Sequence, residues 1–337
     1  MFMRCLATTL GSGVGVDRSL DLLAEQTENR DLRQACEGMA KLVRSGSYLS
    51  VAMAKFPWAF SNLQRRLVQV GERTGALVQV LNRLSLYEER QMDMTLKIRS
   101  SMTMPLLVCG LCIILVIFVP PFLFQGLFQM LQDNHGTLPW PTKVLITFSD
   151  MLRSWGFYVA LVVAICGLIA FLYKAQRDRV IRKKIMQVAL KIPAIGKTIR
   201  LIAVTRFLQS LETMIRVGLP IMVCIEMAGA SADNPVLEDS LKGAIEGVKQ
   251  GDEIHVALRA TDFFPVTVIH SVQVGEQSGK LSDMLESLSR LYTVELDAAF
   301  EAMAKSIEPL VLAIIGAIVG FTVVATMLPM VKLIENL

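Results

Sequence analysis

Hydrophobic positions along this chain change rhythm twice in the same way. Through the first hundred residues they recur at helical spacing in a polar background, and Leu77, Leu81, Leu84 and Ile98 mark the core face of one long helix. Charge then disappears: residues 100–132 contain no charged side chain, and neither do 154–173 or 309–331. A helix needs about 20 apolar residues to cross about 30 Å of hydrocarbon, so the second run is just long enough and the others are ample. Pro120-Pro121 is expected to end the first span near its outer side, because proline removes backbone donors. Phe122, Phe124, Phe128 and Met130 then read as interfacial. No alternating strand pattern appears. The predicted fold class is an all-α membrane protein.

The polar stretches repeat. Val70-Gly71-Glu72-Arg73-Thr74-Gly75-Ala76-Leu77 returns as Val274-Gly275-Glu276-Gln277-Ser278-Gly279-Lys280-Leu281, an offset of 274 − 70 = 204. Downstream the same offset pairs Asp93 with Asp297 and Pro105 with Pro309. Upstream, with one residue gained, Phe2 pairs with Phe207, Leu6 with Leu211, Gly13 with Gly218, Asn29 with Asn234 and Gly46 with Gly251. A repeat of this length is a duplicated domain and exceeds any solenoid period. Each copy reads as a bundle of about six helices, punctuated by Gly13, Asp17, Asn29 and Gly46 in the first. In the second, Gly218-Leu219-Pro220 stops a helix and opens the next, Asp233-Asn234-Pro235 caps another, and Gly251 closes it. The expected organisation is a first helical domain at 1–101, a span at 102–125, an external connection at 126–153, a span at 154–173, a basic linker and second helical domain at 174–307, a span at 308–331 and a short external tail at 332–337.

Composition agrees with a membrane: 53% of residues are hydrophobic and mean hydropathy is +0.49. Lys174, Arg177, Arg179, Arg182, Lys183 and Lys184 crowd after the second run against one acid, Asp178, whereas the first connection has only Lys143 and Arg153, balanced by Asp133 and Asp150. The positive-inside rule therefore puts both repeated domains in the cytoplasm and the first connection and C-terminus outside. The net charge of +4 is mostly this topological signal and implies no nucleic-acid partner. The basic run can also meet anionic lipid or an acidic surface. No cleavable signal peptide is visible. The six cysteines all fall in cytoplasmic or spanning segments on this topology, which fits reduced thiols. Cys109-Gly110-Leu111-Cys112 has a redox or metal spacing, but it sits mid-span, where a thiolate is costly, and reads as packing.

The motif Gly-Glu-x-(Thr/Ser)-Gly is expected at a helix junction. There Gly71 and Gly275 suit a left-handed residue past one helix, and Thr74 and Ser278 suit the cap of the next. Glu72 and Glu276 either accept from exposed amides or present a carboxylate to a partner or cation. Other candidates fall away. Gly196-Lys197-Thr198 resembles the end of a P-loop, but Lys191 stands where the motif needs glycine and Pro193 interrupts the loop. Gly11-Ser12-Gly13-Val14-Gly15 follows no strand, and Val16 replaces the third glycine of a dinucleotide fingerprint. His135, His255 and His270 look isolated, without acid or cysteine at ligand spacing, so no metal, cofactor or catalytic set is expected. No acid, base or histidine lies in any of the three uncharged runs, which disfavours the competing reading, a small transporter or channel subunit. An intramembrane enzyme lacks a nucleophile and base.

The paired motifs, Leu138-Pro139-x-x-Thr142, Ile192-Pro193-x-Ile195-Gly196 and Glu308-Pro309 together resemble the type II secretion F family. That family includes the inner-membrane platform proteins of type II secretion, of type IV pili (PilC-like) and of competence pseudopili. The resemblance covers nearly the whole chain. It implies two cytoplasmic six-helix domains and three transmembrane helices in the bacterial inner membrane. It also implies a non-enzymatic platform without cofactor that couples a hexameric assembly ATPase to prepilin or pseudopilin subunits, alongside other inner-membrane assembly proteins and as a homo-oligomer. The candidate partner or coupling residues are Gly71, Glu72, Gly75, Gly275, Glu276, Gly279, Arg182, Lys183 and Lys184. Two departures stand out. Many relatives carry an extension before the first repeat, whereas this chain begins almost inside it, so an ATPase contact made there would be absent or rebuilt. Gly15 replaces the proline kept as Pro220, and Met104-Pro105 lacks an aromatic. These point to a divergent branch, such as type IVb, conjugative or toxin-associated pilus systems.

Overall fold

Side-chain caps and left-handed glycines set where the helices begin and end. The computed structural model describes residues 2–132 and 178–335, with isolated positions between them (140, 147, 151, 154–157, 159, 163, 166, 167 and 174). Among these there is no strand. Six helices come first: α1 (Phe2–Gly11), α2 (Val16–Gln26), α3 (Arg30–Arg44), α4 (Leu49–Ala54), α5 (Asn62–Thr74) and α6 (Leu77–Gln132). After the sparsely described region come α7 (Arg179–Lys191), α8 (Pro193–Arg216), α9 (Ile221–Ser231), α10 (Pro235–Gln250), α11 (Ile254–Arg259), α12 (Val266–Ser278) and α13 (Leu281–Glu335).

The same local chemistry recurs at the offsets read from the sequence. Asn29 caps α3 by accepting from the amides of Asp31 and Leu32, and Asn234 caps α10 by accepting from Val236 and Leu237. Gly13 and Gly218, Gly46 and Gly251, and Gly75 and Gly279 all have positive φ, between 68° and 101°. The one-residue change in offset falls between α4 and α5, where the first copy has residues 55–61 and the second 260–265.

The fold divides into two compact units. The first holds residues 1–96 and 183–297. Its core is apolar and closely packed. Met3, Leu6, Leu20, Met39, Leu49, Met53, Leu67, Leu81 and Leu84 are fully buried in the first copy, and Phe207, Leu208, Leu211, Ile225, Leu237, Leu258 and Leu285 in the second. Of the predicted face of α6, Leu81 and Leu84 are buried and Leu77 and Ile98 are half-buried. Inside this unit α6 and α8 meet through polar side chains. The Tyr87 and Ser210 hydroxyls are 3.0 Å apart, Gln91 Nε2 donates to Gln209 Oε1 at 3.0 Å, and Arg90 stands 3.7 Å from Glu212. Burial pushes the Tyr87 phenol above its ordinary range. Glu212, 8% exposed, also pairs with Arg216 at 2.7 Å, one helical turn on.

The second unit holds residues 97–182 and 298–337 and contains the apolar parts of α6 and α13. Among the described residues no helix is long and apolar enough to cross a membrane. Most side chains of 102–132 lie outside the described set, as do most residues of the run 154–173, the segment Leu138-Pro139-x-x-Thr142 and, as side chains, Cys109 and Cys112. Pro120-Pro121 does not end a helix: α6 continues through the pair to Gln132. Each proline removes one backbone donor but its fixed φ is helical, so a helix this long keeps its remaining bonds on both sides.

Candidate functional site

Each short helix, α4 and α11, starts without a side-chain cap of its own. Tyr48 and Glu253 occupy the preceding position and neither side chain accepts from the helix. The first amides of such a helix have no partner within it and present positive partial charge. The motif glutamate supplies the acceptor from 21 to 23 residues away. Glu72 accepts from the Leu49 amide, from the Ser50 amide at 3.2 Å and from the Ser50 hydroxyl at 2.5 Å. Glu276 accepts from the Ile254 amide at 2.6 Å and the His255 amide at 3.0 Å, and its Oε2 lies 2.9 Å from His255 Nδ1. Both carboxylates are half-buried.

The glycines of the motif divide their work differently from the sequence expectation. Gly71 and Gly275 are not left-handed: they lie inside α5 and α12 and are buried. A Cβ on Gly71 would stand 3.0 Å from Leu77 Cα and 3.1 Å from Val80 Cβ, and one on Gly275 would stand 3.0 Å from Leu281 Cα and 3.2 Å from Met284 Cβ. The start of the next long helix rests directly on these two glycines. The left-handed residues are Gly75, with φ of 72°, and Gly279, with φ of 68°. Thr74 and Ser278 cap nothing. They are the last residues of α5 and α12, and their hydroxyls donate back to the carbonyls of Val70 at 2.9 Å and Val274 at 2.7 Å. The whole motif thus lies one turn earlier in its helix than its glycine spacing implied.

The basic run is split between the surface and the fold. Lys184 is exposed, Arg182 is half-buried, and Lys183 pairs with Asp239 of α10 at 2.6 Å. Lys183, then Lys242, hold the Asp239 carboxyl down to about 2. Gly196, the residue that gave the P-loop resemblance, lies in the first turn of α8, where a Cβ would come 2.3 Å from the Leu190 carbonyl oxygen. No anion-cradling loop exists there. His255 is not isolated, contrary to expectation. Its Nδ1 also lies 3.1 Å from Glu253 Oε2, so the motif in the second copy carries a histidine between two carboxylates. Sequence reasoning missed Leu49, Ser50, Ile254, His255 and Glu253 as partners of the motif. The available signal was a short helix without a cap residue at the same place in each copy.

The profile of the family described as Type II secretion system (T2SS), protein F matches residues 2–124 and again residues 207–329. The chain belongs to the type II secretion system protein F family. The two matches are in register with the repeat, since 207 − 2 and 329 − 124 both equal 205. Similar relatives are named for two machines. The type IV pilus assembly protein PilC of Thermus thermophilus is 32% identical over 100% of this chain and 82% of its own length. PilC of Pseudomonas aeruginosa is 30% identical over 99% of this chain and 89% of its own. The type II secretion system protein F of Pseudomonas aeruginosa is 29% identical over 98% and 81%. For a member of this family the motif is therefore an internal tie made twice, once in each matched segment.

Proposed function

We infer that this protein is an inner-membrane platform for fibre assembly, in type IV pilus biogenesis or in type II secretion. The reading is carried by the double family match in register with the internal repeat, together with relatives named for both machines, of whose own length the match covers 89% and 81%. The proposed architecture is two repeated cytoplasmic six-helix bundles and three transmembrane helices, supported by the three uncharged runs and the basic cluster after the second. The proposed partners are a hexameric cytoplasmic ATPase, prepilin or pseudopilin subunits, other inner-membrane assembly proteins and further copies of the chain. The platform does no chemistry of its own. Energy enters as movement of the bundles and leaves through α6 and α13, whose first turns rest on Gly71 and Gly275. Such transmission requires contacts that differ between two states of the ATPase. Glu72 and Glu276, with Arg182, Lys183 and Lys184, are the proposed coupling residues.

Deleting the gene in its host tests the role. Surface fibres or secreted substrates are expected to disappear while prepilin and ATPase levels persist, and a plasmid copy restores them. Normal fibres and normal secretion in the deletion strain would overturn the platform reading. Solute flux through proteoliposomes of the purified chain would favour the transporter class instead.

A further inference from the structure

Capping of α11 needs only Glu276, as the first copy demonstrates. The positions corresponding to Glu253, His255 and Glu276 are Tyr48, Ser50 and Glu72 (253 − 205, 255 − 205 and 276 − 204), and Glu72 caps α4 without a histidine or a second acid. Glu253 and His255 are thus additions particular to the second copy. His255 is 6% exposed. Its Nδ1, one Glu253 oxygen and one Glu276 oxygen all lie within 4.8 Å of one another. Among the described residues no lysine or arginine pairs with either carboxylate, and their ionic contacts are both to His255. Two carboxylates thus converge on one imidazole nitrogen with no other cationic side chain beside them, and a bound cation would supply that charge.

We propose that Glu253, His255 and Glu276 bind one divalent first-row transition-metal ion of the zinc type, with His255 as its nitrogen ligand through Nδ1. The donor set is one imidazole and two carboxylates, which suits zinc and its neighbours. Calcium asks for six to eight oxygens and is poorly served. Ligand atoms about 2.0–2.2 Å from a tetrahedral ion stand about 3.4 Å from each other. The separations from Nδ1 are now 2.9 and 3.1 Å, so the imidazole and each carboxylate need to part by only a few tenths of an ångström, and the two carboxylate oxygens already lie within 4.8 Å of each other. Glu253 can make that movement, because its side chain is 62% exposed. Glu276 is already fixed by the Ile254 amide on Oε1 and the His255 amide on Oε2, and the second lone pair of Oε2 is the one left for the ion. The ring proton then resides on Nε2, and the fourth position faces water on the Glu253 side. The ion would fasten the start of α11 to α12 at the junction that carries α13.

Full-length protein in detergent, stripped with chelator and titrated with Zn²⁺, tests the site. Wild type is expected to bind one equivalent more than His255→Asn, and Glu253→Gln is expected to weaken that equivalent at least tenfold. Glu72→Gln, in the first copy, should keep it. The cysteines are common to all variants, so their contribution cancels in the difference. Co²⁺ should give visible d–d bands in wild type that are lost in His255→Asn. Equal stoichiometry in wild type and His255→Asn, or undiminished affinity in Glu253→Gln, would overturn the proposal. Unchanged melting of metal-free Glu253→Gln separates loss of the site from loss of the fold.

Discussion

Removing the Glu276 carboxylate leaves the amides of Ile254 and His255 without their acceptor, and removing Glu72 does the same to Leu49 and Ser50. Leaving such donors unpaired in a half-buried site costs about 1–3 kcal/mol. Each Glu→Ala variant is therefore expected to unfold at lower denaturant concentration, and Glu→Gln, which keeps one accepting oxygen, to lose less. The two copies should respond alike, since each carboxylate makes three close contacts. Fibre assembly in the double alanine variant should fall together with stability and protein level. Lost assembly with undiminished stability would instead assign these carboxylates to a partner. The legible part at this scale was the pairing of the two glutamates. Their partners were not legible, because an acceptor reaching across 21 to 23 residues leaves no local pattern.

At the scale of the element, each helix junction contains two glycines with opposite requirements. Gly75 needs backbone freedom: its φ is 72°, and nothing lies within 4 Å of where a Cβ would be. Gly71 needs space, because backbone of α6 would lie 3.0 Å from that Cβ, although its own conformation is helical. Asparagine tolerates the left-handed region, so Gly75→Asn should cost well under 1 kcal/mol, and Gly75→Ala about 1 kcal/mol. Gly71→Ala should be the more damaging of the two alanine changes, at about 1–3 kcal/mol, since it forces α6 away from α5. Thermal melting of the purified variants ranks them. Gly71→Ala melting no lower than Gly75→Ala would show that the junction is loose. The spacing of the motif fitted either assignment of its glycines, and only the packing of α6 on α5 distinguished the left-handed residue from the close approach.

For the whole molecule, the seam of Tyr87, Arg90 and Gln91 with Gln209, Ser210 and Glu212 is where the two copies are no longer equivalent. By the repeat offset, the first-copy counterparts of Gln209, Ser210 and Glu212 are Arg4, Cys5 and Ala7, and Arg4 pairs with Glu89 inside its own copy. The seam therefore belongs to one arrangement of unlike copies. A double-mutant cycle on Gln91→Ala and Gln209→Ala should show a coupling of about 0.5–1.5 kcal/mol, the worth of one net hydrogen bond. Additive losses would mean that the amide pair contributes nothing to joining the copies. The membrane topology is a second test at this scale. Thiol labelling at introduced cysteines should find positions near residue 135 outside and those near Gly46 and Gly251 inside. A cytoplasmic His135 would reverse the arrangement.

The sequence alone determined the all-helical class, the repeat with its single-residue change of offset, and the helix ends at Asn29, Gly46, Asn234 and Gly251. These follow from local causes: apolar period, side-chain capping and the freedom of glycine to adopt positive φ. Tertiary structure alone decided what Glu72 and Glu276 bind, which glycine of each motif is a packing residue, that Lys183 is engaged by Asp239, and that His255 lies between two acids. Each of these depends on side chains from different helices meeting in space. The distance between such residues along the chain carries no periodic signal, so the register of one helix against another has to be known before they can be paired.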